Sequence, residues 1–403
     1  MPFNPAARVS TFGTTVFAEM SRLAVEHRAI NLGQGFPDFD GPEAVKDAVV
    51  AAIRAGENQY AVSIGQPALR RAIAEHMQRF YQHAYNPDTE ITVTSGATEG
   101  LFVATLGLVT PGEEVIVFEP FYDAYVPNVL MAGGVPRCVP LRPSTTPLGG
   151  SAQDAIEWNF DRDELRAAFN HRTRMIVVNT PHNPTGKVFT AEELQFIAEL
   201  CQQWNVIAVS DEVYEHIRFD GAQHVRLAQL PGMAERTLSI SSHGKTFSFT
   251  GWKTGWVLAP PDLAVGVRRA HQFVTFASGT PFQSAAVLAL GLGDEYYGSL
   301  ITDYQKRRDF LATALQSAGF RVSLPRGTYF IMADYSALSD KNDVDFCRWL
   351  TAEVGVAAIP PSAFYSDEHK PLAGNYARFA FCKTQETLER AAERLQKAES
   401  IRQ

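Results

Sequence analysis

Short apolar runs that end in a polar residue alternate with amphipathic segments along most of the 403-residue chain. Several runs are apolar without interruption, which is typical of parallel strands buried on both faces. The strand-like runs are at residues 91–94, 114–118, 175–178, 206–209 and 237–242. Helical periodicity is present at about residues 42–55, 67–84, 98–109, 190–205, 300–320, 344–355 and 384–400. The alternation predicts an α/β fold with a mostly parallel sheet covered by helices on both faces.

The composition argues against several kinds of protein. The formal net charge is −8, so we expect no general binding of nucleic acid. No stretch approaches the roughly 20 apolar residues that cross a membrane, and the segment from Met1 to Val9 has no apolar signal core. The cysteines, scattered without Cys-x-x-Cys spacing, are Cys138, Cys201, Cys347 and Cys382. We therefore expect reduced thiols in a cytoplasmic protein, with neither a disulfide nor a zinc site.

Two lysines stand at a spacing that suits the binding of a phosphorylated cofactor. Lys245 follows the strand-like run at residues 237–242, and Lys253 comes eight residues later. A lysine that forms a Schiff base must be able to lose its proton, which burial or a cationic neighbour favours. Ser242 and Lys253 would offer a hydrogen bond and positive charge to a phosphate. The alternative is that both lysines are solvated surface residues.

Polar residues also follow other strand-like runs, at the position where open α/β sheets bind ligands. Asp211 comes soon after the run at 206–209, and a carboxylate there can keep a pyridine nitrogen protonated. Tyr214 can then bond a ring hydroxyl. Asn183 precedes a proline, which favours an extended backbone, and its amide can reach a cofactor oxygen. The structural alternatives are a capping role for Asp211 and a simple turn at Asn183.

A strand–glycine–helix turn follows the run at residues 91–94. Gly96 leads into a helix that begins with the small residues Ala97 and Thr98. Backbone N–H groups at such a helix start bind phosphate with help from the helix dipole, although many turns of this kind bind nothing. Tyr122, after the run at 114–118, can stack on a planar ring or belong to the core.

Arg378 lies in the strand-like run Tyr376-Ala-Arg-Phe-Ala-Phe381. A planar guanidinium binds a carboxylate through two parallel hydrogen bonds. An arginine between apolar neighbours needs a partner when it is buried. The sequence therefore predicts that Arg378 pairs with a carboxylate, either that of a bound ligand or that of a structural salt bridge.

Together these motifs resemble those of fold-type-I pyridoxal-phosphate (PLP) enzymes, in particular class I and II aminotransferases, over nearly the whole chain. The similarity is greatest to the subgroup of kynurenine, glutamine/phenylpyruvate and bacterial methionine aminotransferases. The segments that carry it are Asn31-Leu-Gly-Gln-Gly-Phe-Pro-Asp-Phe-Asp40, Asn58-Gln-Tyr60, Thr180-Pro-His-Asn-Pro184, Ser210-Asp-Glu-Val-Tyr-Glu-His216 and Arg378-Phe-Ala-Phe381. The resemblance implies a large PLP-binding domain at 45–290, with a mostly parallel seven-stranded sheet sandwiched by helices. It places a smaller α+β domain at 1–44 and 291–403.

The resemblance also implies a role for each candidate residue. The catalytic residues would be Lys245 as the Schiff-base lysine, Asp211 at the pyridine nitrogen and Tyr214, which shares the ring oxygen O3′ with Asn183. Tyr122 would stack on the ring. The phosphate would be held by Gly96, Ala97, Thr98, Ser242, Lys253 and the partner subunit's Tyr60. The substrate would meet Arg378, Asn183, the backbone of Gly35, Phe17 and the partner subunit's Phe276.

These roles imply a transaminase that moves an amino group from an L-amino acid to a 2-oxo acid by a ping-pong mechanism, in a homodimer with shared active sites. Phe17 and Phe276 favour large, mostly uncharged donors: methionine, aromatic amino acids, kynurenine or glutamine. Two alternatives stay open. A PLP-dependent β-lyase acting on cysteine conjugates or cystathionine would use the same Lys245, Asp211 and Arg378. A PLP-binding regulator would have no enzymatic activity.

Overall fold

The computed structural model of the chain describes residues 4–13, 15–146 and 155–400. The α-helices in these ranges are α1 (Val16–Glu26), α2 (Glu43–Arg54), α3 (Pro67–Tyr81), α4 (Gly96–Leu108), α5 (Tyr125–Met131), α6 (Arg162–Ala168), α7 (Ala191–Trp204), α8 (His243–Thr246), α9 (Pro261–Val274), α10 (Thr280–Leu290), α11 (Asp294–Ser317), α12 (Asp343–Trp349) and α13 (Gln385–Ser400). A π-helical turn, Leu350–Val354, extends α12, and short 3₁₀ turns lie at Leu227–Gln229, Thr250–Trp252, Pro361–Phe364 and Lys370–Ala373. All the helices predicted from periodicity are present.

The strands in the same ranges are β1 (Ile30–Asn31), β2 (Ile91–Thr94), β3 (Glu114–Glu119), β4 (Val135–Thr146), β5 (Ala155–Phe160), β6 (Thr173–Asn179), β7 (Ile207–Asp211), β8 (Thr237–Ser242), β9 (Gly255–Leu258), β10 (Arg321–Val322), β11 (Phe330–Asp334), β12 (Val356–Ala357) and β13 (Tyr376–Ala380). The large sheet has the order β2-β9-β8-β7-β6-β3-β4-β5. Its central strands β8, β7, β6, β3 and β4 run parallel. β9 is antiparallel to both its neighbours, and β5 is antiparallel to β4. The mostly parallel sheet is confirmed, with one strand more than the seven expected.

Alternate residues of the central strands pack against different helices. On β6, Ile176 shares a core with Leu194 of α7, whereas its neighbour Val177 shares another with Leu101 of α4 and Val267 of α9. Burying each such side chain stabilises the fold by about 1.5–3 kcal/mol. Helices therefore cover both faces of the sheet, as the uninterrupted apolar runs predicted.

The prolines and glycines of residues 142–157 predict a surface loop. This prediction is wrong at both ends, because β4 extends into this segment and β5 begins within it. The side chains of Ile156, Trp158 and Phe160 are buried, and those between them are more exposed. This period of two marks a half-buried strand, but the prolines and glycines nearby favoured a loop. The rest of the predicted loop, 147–154, lies outside the described residues.

Two smaller sheets lie apart from the large one in sequence. β10, β11 and β13 form an antiparallel sheet, and β1 pairs in parallel with β12. All strands of the large sheet fall between residues 91 and 258. We propose on this basis that the chain divides into a large domain at 45–290 and a small domain formed by 1–44 and 291–403.

The cysteines are thiols rather than disulfides. All four are free, and three of them are buried. Burial raises the pKa of the Cys201 thiol to about 12, so this thiol stays protonated.

A separate expectation concerned membrane spans. Within the described ranges, no helix has both the length and the apolar character needed to cross a membrane.

Candidate active site

Three neighbouring parallel strands bring polar residues to one edge of the large sheet. β6 ends at Asn179, β7 at Asp211 and β8 at Ser242, and Asn179 is the ladder partner of Asp211. Such an edge is where open α/β sheets bind ligands, and a cavity of about 390 Å³ opens there. The sequence-predicted residues that line the cavity are Phe17, Gly35, Gly96, Ala97, Thr98, Tyr122, Asn183, Asp211, Tyr214, Ser242, Lys245, Lys253 and Arg378.

Two candidate residues do not line this cavity. Tyr60 is 86 % exposed, and its ring meets that of Phe276 edge-on, with centroids 5.3 Å apart. Both residues were expected to act in a partner subunit's site rather than in their own. Their position on the surface is compatible with that role, which stays a prediction.

Lys245 lies in the short helix α8, directly after β8, and is half-buried. Its Nζ donates to the hydroxyl of Tyr329 at 3.0 Å and lies 3.4 Å from the carbonyl of Gly35. Burial lowers the pKa of Lys245 to about 8. A substantial fraction of the side chain is therefore a neutral, nucleophilic amine near pH 8.

Asp211 is a buried carboxylate that accepts two hydrogen bonds from nearby residues. The phenol of Tyr125 donates to Oδ2 at 2.6 Å, and the backbone N–H of Val213 donates to Oδ1 at 3.3 Å. Burial raises the pKa of Asp211 to about 6, although these two bonds act to lower it. A cation placed against this carboxylate would stabilise its charged form.

Arg378, on β13, is 1 % exposed and makes no salt bridge to any described residue. Its guanidinium donates to Oδ1 of Asn183 at 3.0 Å and to the carbonyl of Gly33 at 2.8 Å, while the buried Nε has no hydrogen-bond partner among the described residues. Burial lowers the pKa of Arg378 to about 10, so it is still charged at neutral pH. The structure thus contradicts the structural salt bridge and leaves a cation that faces the cavity.

The start of α4 also lines the cavity and offers the free backbone N–H groups of a helix N-terminus. Gly96 has a φ of +74°, and Nζ of Lys253 donates to the hydroxyl of Thr98 at 3.1 Å. A side chain on Gly255 would bring its Cβ within 2.6 Å of the backbone nitrogen of Ala97. Glycine therefore lets the start of β9, two residues after Lys253, approach the helix start, where positive charge and the helix dipole favour an anion.

Sequence reasoning missed several residues that shape the site. Asn179 donates through its amide to the carbonyl of Asp211 at 2.9 Å and accepts from the backbone of Asn183 at 2.7 Å. Tyr125 lies three residues beyond Tyr122, so a second phenol in the same loop was a usable signal. Tyr329 offered none, because an aromatic residue beside an apolar strand is normally part of a core.

Comparison with known protein families shows which family the chain belongs to. The model for "Aminotransferase class I and II" matches residues 27–395. The chain is a class I/II aminotransferase. The expected enzyme class, transaminase, is thereby confirmed, as is the fold expected from the resemblance.

Individual relatives of this aminotransferase agree with the family. It is 42% identical to the kynurenine–oxoglutarate transaminase of Dictyostelium discoideum, with 98% of this chain and 96% of the relative covered. The solved N-succinyldiaminopimelate aminotransferase of Mycobacterium tuberculosis is 46% identical, with a TM-score of 0.92 over 98% of this chain and 100% of that one. The solved structure of YbdL from Escherichia coli, reported with a methionine aminotransferase function, is 40% identical. Its TM-score is 0.91 over 98% of this chain and 100% of that one.

Pyridoxal phosphate is the cofactor of this family, and the residues present fit it. The α4 start with Lys253 suits the phosphate, and the buried carboxylate of Asp211 suits a protonated ring nitrogen. A lysine with a lowered pKa suits the aldehyde, and the unpartnered Nε of Arg378 leaves donor capacity for a substrate carboxylate. The chemistry of the lining residues therefore agrees with the expected cofactor.

Proposed function

We propose that this aminotransferase takes its amino group from a large, mostly uncharged L-amino acid and passes it to a 2-oxo acid in two half-reactions. The observation that carries the proposal is that aromatic rings surround Arg378. Its guanidinium carbon lies 5.2 Å from the ring centroid of Phe17, 4.1 Å from that of Phe330 and 5.0 Å from that of Phe364. The carboxylate of a donor meets a cation, and its side chain meets aromatic surface. Methionine, the aromatic amino acids, kynurenine and glutamine fit this description.

Acidic donors fit less well. Among the described residues, Arg378 is the one arginine that lines the cavity, and Asp123 places a carboxylate in the same lining. An acidic side chain would lose its hydration beside Phe17 and Phe330 without a second guanidinium to pair with. This argument also disfavours N-succinyldiaminopimelate, the substrate that the M. tuberculosis relative is named for.

In the proposed reaction the residues of this chain divide the work. Bound PLP supplies a ring that withdraws electrons from the substrate Cα. Lys245 would hold the cofactor covalently at rest, and its free amine would move a proton at the substrate Cα. Asp211 would keep the ring nitrogen protonated, and Tyr214 and Asn183 would hold the ring oxygen O3′ by hydrogen bonds. Arg378 would bind and orient the carboxylate of the amino donor, and the backbone of Gly35 would also contact the substrate.

The test is a panel of amino acids added to the purified, PLP-loaded protein. Methionine and the aromatic donors should convert the absorbance of lysine-bound cofactor to that of the pyridoxamine form, with kcat/KM at least about tenfold above aspartate, since burial of a large apolar side chain is worth about 1.5–3 kcal/mol. Aspartate or N-succinyldiaminopimelate as the best donor would overturn the proposed substrate class. Rapid pyruvate release from a cysteine conjugate would instead favour the β-lyase.

Substitution of Arg378 and Phe17 should separate recognition of the two ends of the donor. Arg378→Ala should raise KM for every donor by about 10²-fold, since bonds to a charged group are worth about 1.5–3 kcal/mol each. Phe17→Ala should lower kcat/KM for phenylalanine and methionine by about tenfold and change alanine much less. Phe12→Ala, a partly exposed phenylalanine outside the cavity lining, is the control. Equal losses for all donors in Phe17→Ala would contradict its place beside the side chain.

We further propose that the enzyme is a cytoplasmic homodimer in which Tyr60 reaches the partner's phosphate. Support comes from the exposed pair Tyr60 and Phe276 and from Phe273, which precedes Phe276 by three residues and is itself 90 % exposed. Inactive Tyr60→Ala and Lys245→Ala proteins should regain part of their activity when mixed. Each hybrid dimer places both defects in one site and leaves the other intact. No recovery after demonstrated subunit exchange would count against the shared site.

A further inference from the structure

His271, in the last turn of α9, has acceptors at both ring nitrogens. Its side chain is fully buried, with Nδ1 2.6 Å from Oε1 of Glu99 and Nε2 2.8 Å from the carbonyl of Ser63. A carboxylate and a carbonyl only accept, and a neutral imidazole has a single N–H to give. With Glu99 ionised, both contacts are satisfied together when the ring carries two protons and a positive charge.

The charged groups around the ring support this state. Glu99 of α4 is the carboxylate that pairs with the ring, and the loop containing Ser63 faces it with a carbonyl. Arg268, one turn earlier on α9, directs its guanidinium to Thr92 and to the carbonyls of Asp88 and Ile91. Burial acts to lower the pKa of His271, but the bond and charge of Glu99 act against it, and the net shift is upward from 6.5.

Glu99 connects the ring to the start of α4. Its second carboxylate oxygen accepts the backbone N–H of Ser95, the residue immediately before Gly96. The first turn of α4 is the proposed phosphate cradle, so this carboxylate is both a support for the cradle and a negative charge close to a bound phosphate. A positive charge on His271 offsets that repulsion while leaving the support in place.

The other ring nitrogen connects to the segment that displays Tyr60. Ser63 lies three residues after Tyr60, and the carbonyl of His271 accepts the backbone N–H of Phe276 at 2.9 Å. The rings of Tyr60 and Phe276 are in contact. One residue therefore joins the phosphate cradle of its own site to the two aromatic residues proposed for the partner's site.

We propose that His271 is a positioning residue whose imidazolium neutralises Glu99 and holds the phosphate cradle and the Tyr60 segment in place together. The inference rests on the proposed site but concerns residues outside the cavity lining. PLP uptake by the unaltered protein tests the proposed site alone, and the charge on His271 tests the inference alone.

The charge is measured by nitrogen NMR of the holoenzyme labelled with ¹⁵N-histidine. The His271 signal is the one missing from His271→Gln, and both its nitrogens should show protonated shifts at about pH 8, where an ordinary histidine is neutral. His243 is an internal reference, because burial lowers its pKa to about 4. A neutral His271 ring at this pH would overturn the proposal, whatever the variants do.

The coupling is measured by cofactor affinity and hydrogen exchange. His271→Gln should raise the dissociation constant of PLP about tenfold, the effect of one lost charge-assisted interaction. Adding Glu99→Gln, which removes the charge but keeps an acceptor for Ser95, should restore most of the affinity. Exchange should quicken in peptides covering both 58–66 and 95–100 but stay unchanged in α13. A double variant as weak as the single one, or faster exchange in only one of the two segments, would contradict the proposal.

Discussion

Lys245→Ala is expected to lower the turnover of every donor by roughly 10³–10⁴-fold, the upper range of what one positioned acid–base group contributes. The amine lies 3.0 Å from the hydroxyl of Tyr329 in the cavity that Arg378 also lines. Alanine offers neither a nucleophile for the cofactor nor a base for the proton at Cα. Steady-state kinetics with methionine measures the loss.

Lys253→Ala is the matched control, because Lys253 is the second lysine of the cavity lining and contacts Thr98 at the phosphate end. It should weaken PLP binding yet turn over substrate when PLP is supplied in excess. If both lysine variants lost activity equally under saturating PLP, the separate roles given to the two lysines would be wrong.

Asp211→Asn is expected to lower kcat by roughly 10²–10³-fold while PLP stays bound, which is the usual effect of removing one preorganised electrostatic group. A buried carboxylate favours a proton on the ring nitrogen, and a neutral amide of the same shape does not. Tyr125→Phe is the control, because it removes the 2.6 Å hydrogen bond but keeps the carboxylate. Tyr125→Phe should lower kcat clearly less than Asp211→Asn does. Near-normal turnover of Asp211→Asn would make Asp211 a structural residue.

The parts of the site that depend on local sequence were predictable. Asp211 and Ser242 end apolar strands, and Gly96 opens a helix, so the chemistry of each is visible within about ten residues of chain. Parallel strands then place such ends at one edge of the sheet without further information. The same reasoning gave the helices, whose apolar period is also local.

Contacts between distant segments were not predictable in this way. Tyr329 is 84 residues from Lys245, and Glu99 is 172 residues from His271. The local sequence around each residue therefore does not indicate its partner. A tyrosine beside an apolar strand has the same local sequence pattern whether it packs in a core or accepts a hydrogen bond from a lysine. Strand β5 is a different case, because its period of two was present but was outweighed by the turn-forming residues around it.

The central claim is that the cofactor is attached to Lys245, and borohydride reduction of the PLP-loaded enzyme tests it most directly. Reduction fixes the Schiff base as a stable secondary amine, and peptide mapping by mass spectrometry then locates the pyridoxyl group. We expect it on the peptide that contains His243-Gly-Lys-Thr246, at Lys245. A pyridoxyl group on Lys253 or on any other lysine, with Lys245 unmodified, would contradict this claim.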